Sequence, residues 1–144
     1  MSYRSGYENK VAAYLDSLGI EYKYEDYSFM YYSTVSKAVC GDCKSRNIFK
    51  ERWYTPDFFL PNGNIIEAKG YFKGTHRRII LDFLKASDEV TRDNYYILFQ
   101  RDNKYGSTGN RYSDWCDKNN IKYAVSLNGE VPEEWMIERK YLQR

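Results

Sequence analysis

The chain has 144 residues, 29% of them charged, and a formal net charge of +2. That length suits one globular domain with a real core, and so small a charge excludes a general polycation, so any basic surface must be local. Three cysteines, no recognisable secretory leader and no long apolar run argue against a disulfide scaffold and a membrane span, and a soluble protein in a reducing compartment is expected.

In chain order, residues 6–18 read as a helix with Tyr7, Val11, Leu15 and Leu18 on one stripe and Gly19 as its stop. Ser5 and Glu8 have the capping-box spacing, so a structural job accounts for Glu8 without any chemistry. Ile20 to about Tyr32 is strand-like and aromatic, and residues 33–52 read as irregular and polar. Phe58 to Ile66 reads as two short strands around a turn. A helix follows from about Thr75 to Val90 with Ile79, Ile80, Phe83 and Leu84 inward, then a buried strand at Tyr95–Phe99. Residues 112–119 look helical, Ile121–Val125 extended, and Pro132 opens a last short helix through Trp135. This order predicts an α/β fold, a mixed central sheet flanked by helices, in a single domain spanning residues 1–144. Its parts are an N-terminal helix and strand (1–32), an inserted loop (33–53) and a core (54–144).

The chemistry concentrates at Tyr54-Thr55-Pro56-Asp57 and Glu67-Ala68-Lys69. A two-residue Asn62-Gly63 turn would send the two carboxylates to opposite faces. A three-residue Pro61-Asn62-Gly63 turn fits its positions better, with proline pre-setting the first residue and glycine the left-handed one. That register puts Asp57 opposite Glu67, Cβ atoms about 4.5–5.5 Å apart, with Lys69 on the same face. Phe58, Leu60, Ile66 and Ala68 then point the other way. Paired carboxylates repel and call for a cation or a proton, and with a lysine beside them they suit metal-assisted phosphodiester hydrolysis. A solvated hairpin with a polar face is the plain alternative.

Residues 69–85 carry Lys69, Lys73, Arg77, Arg78 and Lys85 against Asp82 alone, so basic charge clusters just after the hairpin. Arg4, Lys10, Lys73, Arg77, Arg78 and Lys104 are the candidate phosphate contacts. His76 is expected to be a surface histidine and Cys116 a small core residue. Most of the sixteen tyrosines are expected to fill the sheet and intersubunit contacts rather than stack on bases.

Arg4-Ser5-Gly6-Tyr7-Glu8-Asn9-Lys10-Val11 and Ser17-Leu18-Gly19-Ile20 resemble the start of the phage endonuclease I type of Holliday-junction resolvase. Tyr54 to Phe58, Leu60 to Gly63 and Glu67 to Gly70 resemble its central motif, and Tyr112 to Lys118, Ile121 to Ala124 and Pro132 to Trp135 its C-terminal part. The resemblance implies a restriction-endonuclease-like fold and a homodimer that cuts branched DNA, four-way junctions above all, with Mg²⁺ or Mn²⁺, leaving 5′-phosphates. It implies metal binding by Asp57, Glu67, the Ala68 carbonyl and Glu8, and a catalytic role for Glu8, Asp57, Glu67 and Lys69. It also implies that the two halves of the chain are exchanged between protomers, so that Glu8 would enter the partner's site, and that the protein works in the cytoplasm of a bacterium or phage-infected host. A nuclease of the same chemistry on linear or mismatched duplex, or a DNA-binding module without catalysis, are the alternatives.

The sequence departs from the family in three places. A basic N-terminal extension is missing, Lys23 stands where the family carries a glutamate, and the region joining Tyr27 to Tyr54 is longer and holds Cys40-Gly41-Asp42-Cys43. Lys23 is therefore given no catalytic role. One Cys-x-x-Cys is half a tetrahedral zinc site, and in a dimer two copies of the loop could share a single Zn²⁺ through Cys40 and Cys43, with unligated loop cysteines as the alternative.

Overall fold

Helix α1 (Gly6–Ser17) starts where Ser5, in extended conformation, accepts the Glu8 amide at 3.1 Å. It ends as Gly19 N–H bonds to Asp16 O and Ile20 N–H reaches back to Leu15 O at 3.1 Å, two bonds that satisfy carbonyls the helix itself leaves open. Tyr7, Val11 and Leu15 are buried as the stripe predicts, but Leu18 is half exposed because it sits in the cap rather than in the helix. The computed structural model describes residues 3–38 and 46–137. Cys40 and Cys43, with the expected shared zinc, lie outside the described residues.

The central sheet runs β1 (Lys23–Tyr24), β4 (Phe58–Phe59), β5 (Ile65–Lys69), β6 (Tyr95–Phe99) and β7 (Lys122–Val125) from edge to edge. The first two pairings are antiparallel and the last two parallel, so the sheet is mixed as expected. Helices α2 (Gly74–Ala86) and α3 (Tyr112–Lys118) form the crossovers that parallel neighbours require. The turn between β4 and β5 uses three residues: Leu60 and Asn64 pair at 2.9 Å, and Gly63 takes φ +88° with its amide on Leu60 O. The asparagines of this hairpin clamp the C-terminal segment, Asn62 donating to Trp135 O and Ile137 O and Asn64 to Trp135 O.

Strand alternation divides the core in two. Phe58, Leu60, Ile66, Ala68, Tyr96 and Leu98 face α1 and Trp135, whereas Ile65, Tyr95, Ile97 and Phe99 face α2 and α3. Two sequence readings need correction here. The expected strand from Ile20 to Tyr32 is broken at Glu25, whose φ is +47°. The expected helix to Val90 stops at Ala86, where Ser87 leaves the helix and its hydroxyl accepts the Val90 amide. As expected, Pro132 opens a last short helix through Trp135, a single 3-10 turn over Glu133–Trp135.

The largest difference lies between residues 29 and 54. In place of an irregular loop, β2 (Phe29–Ala38) and β3 (Arg46–Tyr54) form an antiparallel ribbon with Phe29 opposite Tyr54 and Met30 opposite Trp53. Phe29, Tyr31 and Tyr54 point inward onto the ring of Phe83 in α2, which is fully buried. Met30, Tyr32, Phe49 and Trp53 point outward. The consecutive charges Lys50-Glu51-Arg52 hide the period-2 pattern: Arg52 stands opposite inward-pointing Tyr31 and donates to the buried Ser33 hydroxyl, while all three charged residues remain exposed. Among the described residues no helix is long and apolar enough to cross a membrane.

Gly129 fixes where α1 sits. Its φ is +81°, and a Cβ there would lie 2.7 Å from the backbone of Lys10 and Val11. The neighbouring Tyr7 hydroxyl donates to Ser126 O at 2.6 Å, locking the same helix to the same turn. Gly129→Ala combines a left-handed alanine with a backbone clash and should destabilise the protein by about 2–4 kcal/mol, read as a lower urea midpoint. A wild-type midpoint would show that α1 is free to shift.

Candidate active site

The β4–β5 ladder stops after Phe58 opposite Ile66. One step further, Asp57 and Glu67 stand opposite each other, as the three-residue turn dictates, but side chains there replace the ladder. The Asp57 amide donates to Glu67 Oε1 at 3.3 Å, and the Ala68 amide donates to Asp57 Oδ2 at 2.9 Å. Each carboxylate is thus held by a backbone N–H at or beside the position of the other. Asp57 and Glu67 are 8% and 3% exposed, so both lie largely out of water.

Further groups close around the pair. The Tyr54 hydroxyl donates to Glu67 Oε1 and lies 2.7 Å from the Tyr95 hydroxyl. Burial, then the Glu67 charge, holds the Tyr54 phenol well above its ordinary value, so it remains a donor. Lys69 Nζ sits 3.3 Å from Glu67 Oε2. Burial alone would lower the Lys69 pKa, but Glu67 and Asp57 outweigh it and keep the ammonium above its usual value.

Helix α1 brings Glu8, 5% exposed, with the Tyr24 hydroxyl donating to its Oε1 at 3.1 Å. Its amide is capped by Ser5 while its carboxylate faces the cluster, so the structural and chemical readings of Glu8 coexist. One oxygen each from Glu8, Glu25 and Asp57 lie within 4.8 Å of one another. Glu25 was not singled out by sequence. Its left-handed backbone, with its amide on Asp57 O at 3.0 Å, turns the carboxylate inward, and only the fold reveals this. Burial, then Glu67, with a further contribution from Glu8, pushes Asp57 well above the ordinary carboxylate range despite Lys69.

Glu8, Glu25, Tyr54, Asp57, Glu67 and Lys69 line a cleft of about 1120 Å³. Ala68 lies between the strand carboxylate and the lysine on its wall, and Arg4, Lys10 and Lys73 also line it. Arg4 pairs with Glu25 at 3.1 Å. Arg77, Arg78 and Lys104 are not among the lining residues. Arg77 instead donates to Phe72 O at 2.6 Å and covers the Tyr105 ring at 4.2 Å. His76, expected at the surface, is half-buried on the cleft wall, and burial with Lys69 lowers its pKa. Lys23 is exposed and pairs with Asp26. Cys116 is fully buried, its thiol pushed up to about 12 by burial, as a core residue should be.

The donor set fits a hard divalent cation. Four acids (Glu8, Glu25, Asp57 and Glu67) offer only oxygens, they outnumber the bases touching them, and Asp57 is left in need of a proton or a cation. The electrostatics set the sign of a stability effect. Because the folded state raises the Asp57 pKa above its unfolded value of about 3.9, it binds more protons and loses stability as pH rises past that value. Asp57→Asn removes this cost. In EDTA at pH 7 the variant should unfold at a higher urea concentration than wild type, with the gain vanishing near pH 4. A variant less stable than wild type at pH 7 would mean that the carboxylate stabilises the fold.

The sequence matches the family model described as phage endonuclease I over residues 1–143. It is 32% identical over 141 residues to endonuclease I of Escherichia phage T7, covering 96% of this chain and 81% of that protein. It is 31% identical over 128 residues to endodeoxyribonuclease 1 of Enterobacteria phage T3, covering 88% of this chain and 73% of that protein. With the matched region running nearly end to end and including every cleft carboxylate, the chain belongs to the phage endonuclease I family.

Proposed function

We propose that this chain is a metal-dependent endodeoxyribonuclease that cuts branched DNA, four-way junctions in preference to linear duplex, by hydrolysing phosphodiesters with Mg²⁺ or Mn²⁺. The observation that carries the reading is the meeting of Glu8, Asp57, Glu67 and Lys69, from three separate segments, in a cleft also lined by Arg4, Lys10 and Lys73. Similarity to endonuclease I of phage T7 and endodeoxyribonuclease 1 of phage T3 supports nuclease action on DNA.

In this reading Asp57, Glu67, Glu8 and the Ala68 carbonyl would hold the cation, with Glu25 adjoining. When bound there, the cation would supply an acidified water and offset charge on the phosphate. Tyr54 and the Asp57 amide fix Glu67, and the Ala68 amide fixes Asp57, so neither carboxylate has to reorganise as the reaction proceeds. Lys69, kept charged by Glu67 and Asp57, donates to the phosphate oxygens as negative charge builds on them. Arg4, Lys10 and Lys73 bind the flanking backbone. A water oxygen bonds to phosphorus as the bond to the 3′ oxygen breaks, leaving a 5′-phosphate and a 3′-hydroxyl.

The working unit in this reading is a homodimer, since a junction presents two strands to cut. Within one chain α1 already meets β5 and seats Glu8 by Asp57. The same seat serves whether it is filled by the chain's own helix or, after exchange of halves, by that of a second copy.

Radiolabelled four-way junction and linear duplex of the same sequence, compared in one assay, test the reading. Junction cutting should require Mg²⁺ or Mn²⁺, stop in EDTA, and stop in Ca²⁺, whose looser coordination positions water poorly. Lys69→Met should lower kcat by about 100-fold or more while junction affinity changes little. Cutting in EDTA would refute the metal assignment. Equal cutting of junction and duplex would make this a duplex nuclease, and binding without any cutting a DNA-binding module.

A further inference from the structure

Trp53 and Tyr71 are among the most exposed large hydrophobic side chains described, at 63% and 67%, and both line the carboxylate cleft. Among the described residues neither ring stacks on another aromatic side chain. The other two tryptophans, Trp115 and Trp135, are buried. Leaving an indole and a phenol open to water beside a polar site wastes apolar surface unless something flat covers them.

Their placement says what that is. Trp53 directly precedes Tyr54, which holds Glu67, and Tyr71 follows Lys69 by two residues. Each ring is thus tied by no more than roughly 7 Å of chain to a group of the cleft, Tyr54 that braces Glu67 or Lys69 that is assigned to the phosphate. The β3 backbone that carries Trp53 is fixed by pairing with Met30, so the ring loses little freedom on binding. The same cleft offers Arg4, Lys10 and Lys73 to phosphates. Cations for the backbone with aromatic faces beside them is the composition of a single-strand binding groove.

We propose that Trp53 and Tyr71 form a stacking subsite for a nucleobase with an open, unstacked face beside the scissile phosphate, and that this subsite favours branched over continuous DNA. The proposal rests on reading the cleft as a DNA-cutting site. Inside a continuous duplex both faces of every base are covered by neighbours. Where strands exchange, or where a flap leaves the helix, a face is open, and only there can these rings gain stacking energy.

The test uses the full chain in Ca²⁺, so that DNA binds without being cut. Because Trp53 is the exposed one of the three tryptophans, acrylamide quenching of the intrinsic emission reports on its ring. The free protein should be quenched readily, and a saturating four-way junction should protect the emission far more than linear duplex does. Trp53→Ala should lower the ratio of duplex Kd to junction Kd by about tenfold, Trp53→Phe should restore most of it, and Tyr71→Ala should act in the same direction. Thermal unfolding of each variant verifies folding. An unchanged ratio in both alanine variants, with wild type still preferring the junction, overturns the subsite alone. A wild-type ratio near one overturns the branched-DNA reading and the subsite with it. Emission already shielded before DNA is added would mean that a second copy covers the outer stripe of Met30, Tyr32, Phe49 and Trp53, and would also overturn the proposal.

Discussion

The reciprocal brace between Asp57 and Glu67 is the constraint on which the rest of the structure turns. Where the β4–β5 ladder ends, two backbone amides lose their partners, and the two carboxylates take them up. An unpaired buried amide costs roughly 1–3 kcal/mol, so the acids are bound to the backbone as firmly as the backbone is bound to them. The three-residue turn sets this arrangement, because a turn shorter by one residue would send the carboxylates to opposite faces. Everything else around the site supports that brace: Tyr54 and Tyr95 from below, Lys69 along the strand, and α1 with Glu8 across the cleft.

The brace is electrostatically expensive. Burial, then the nearby Glu67 charge, raises the Asp57 pKa and strains the metal-free protein, and the left-handed Glu25 adds backbone cost beside them. Large packing contacts elsewhere hold the cluster in place. Phe83, fully buried, carries the rings of Phe29, Tyr31 and Tyr54, so α2 and the ribbon together fix the phenol that holds Glu67. Gly129 lets α1 approach the turn after β7 closely enough to bring Glu8 into reach. A site with this much repulsion is the expected form of one completed by a cation.

Much of this was legible in the sequence because it is local. The register of the hairpin follows from Pro61-Asn62-Gly63, the cap of α1 from Ser5, and the buried strand from the apolar run Tyr95–Phe99. What escaped depends on long-range geometry. The inner role of Phe29, Tyr31 and Tyr54 is defined by the cover of α2, and the run Lys50-Glu51-Arg52 conceals the alternation. Glu25 joins the cluster through a single left-handed residue that no spacing rule announces. Arg77 looked like a phosphate contact from the local charge count, yet its guanidinium is engaged by Phe72 O and Tyr105. Charge density along the chain therefore located the basic region but could not sort its members.

The central claim is that the braced carboxylates form one divalent-cation site. Titrating Mn²⁺ into the full chain and following free Mn²⁺ by electron paramagnetic resonance, without DNA, tests it most directly. Wild type should remove Mn²⁺ from solution at stoichiometric amounts and release it to Mg²⁺, and Asp57→Asn and Glu67→Gln should each lose most of that binding while staying folded. Undiminished binding in both variants, or no binding by wild type, would contradict it.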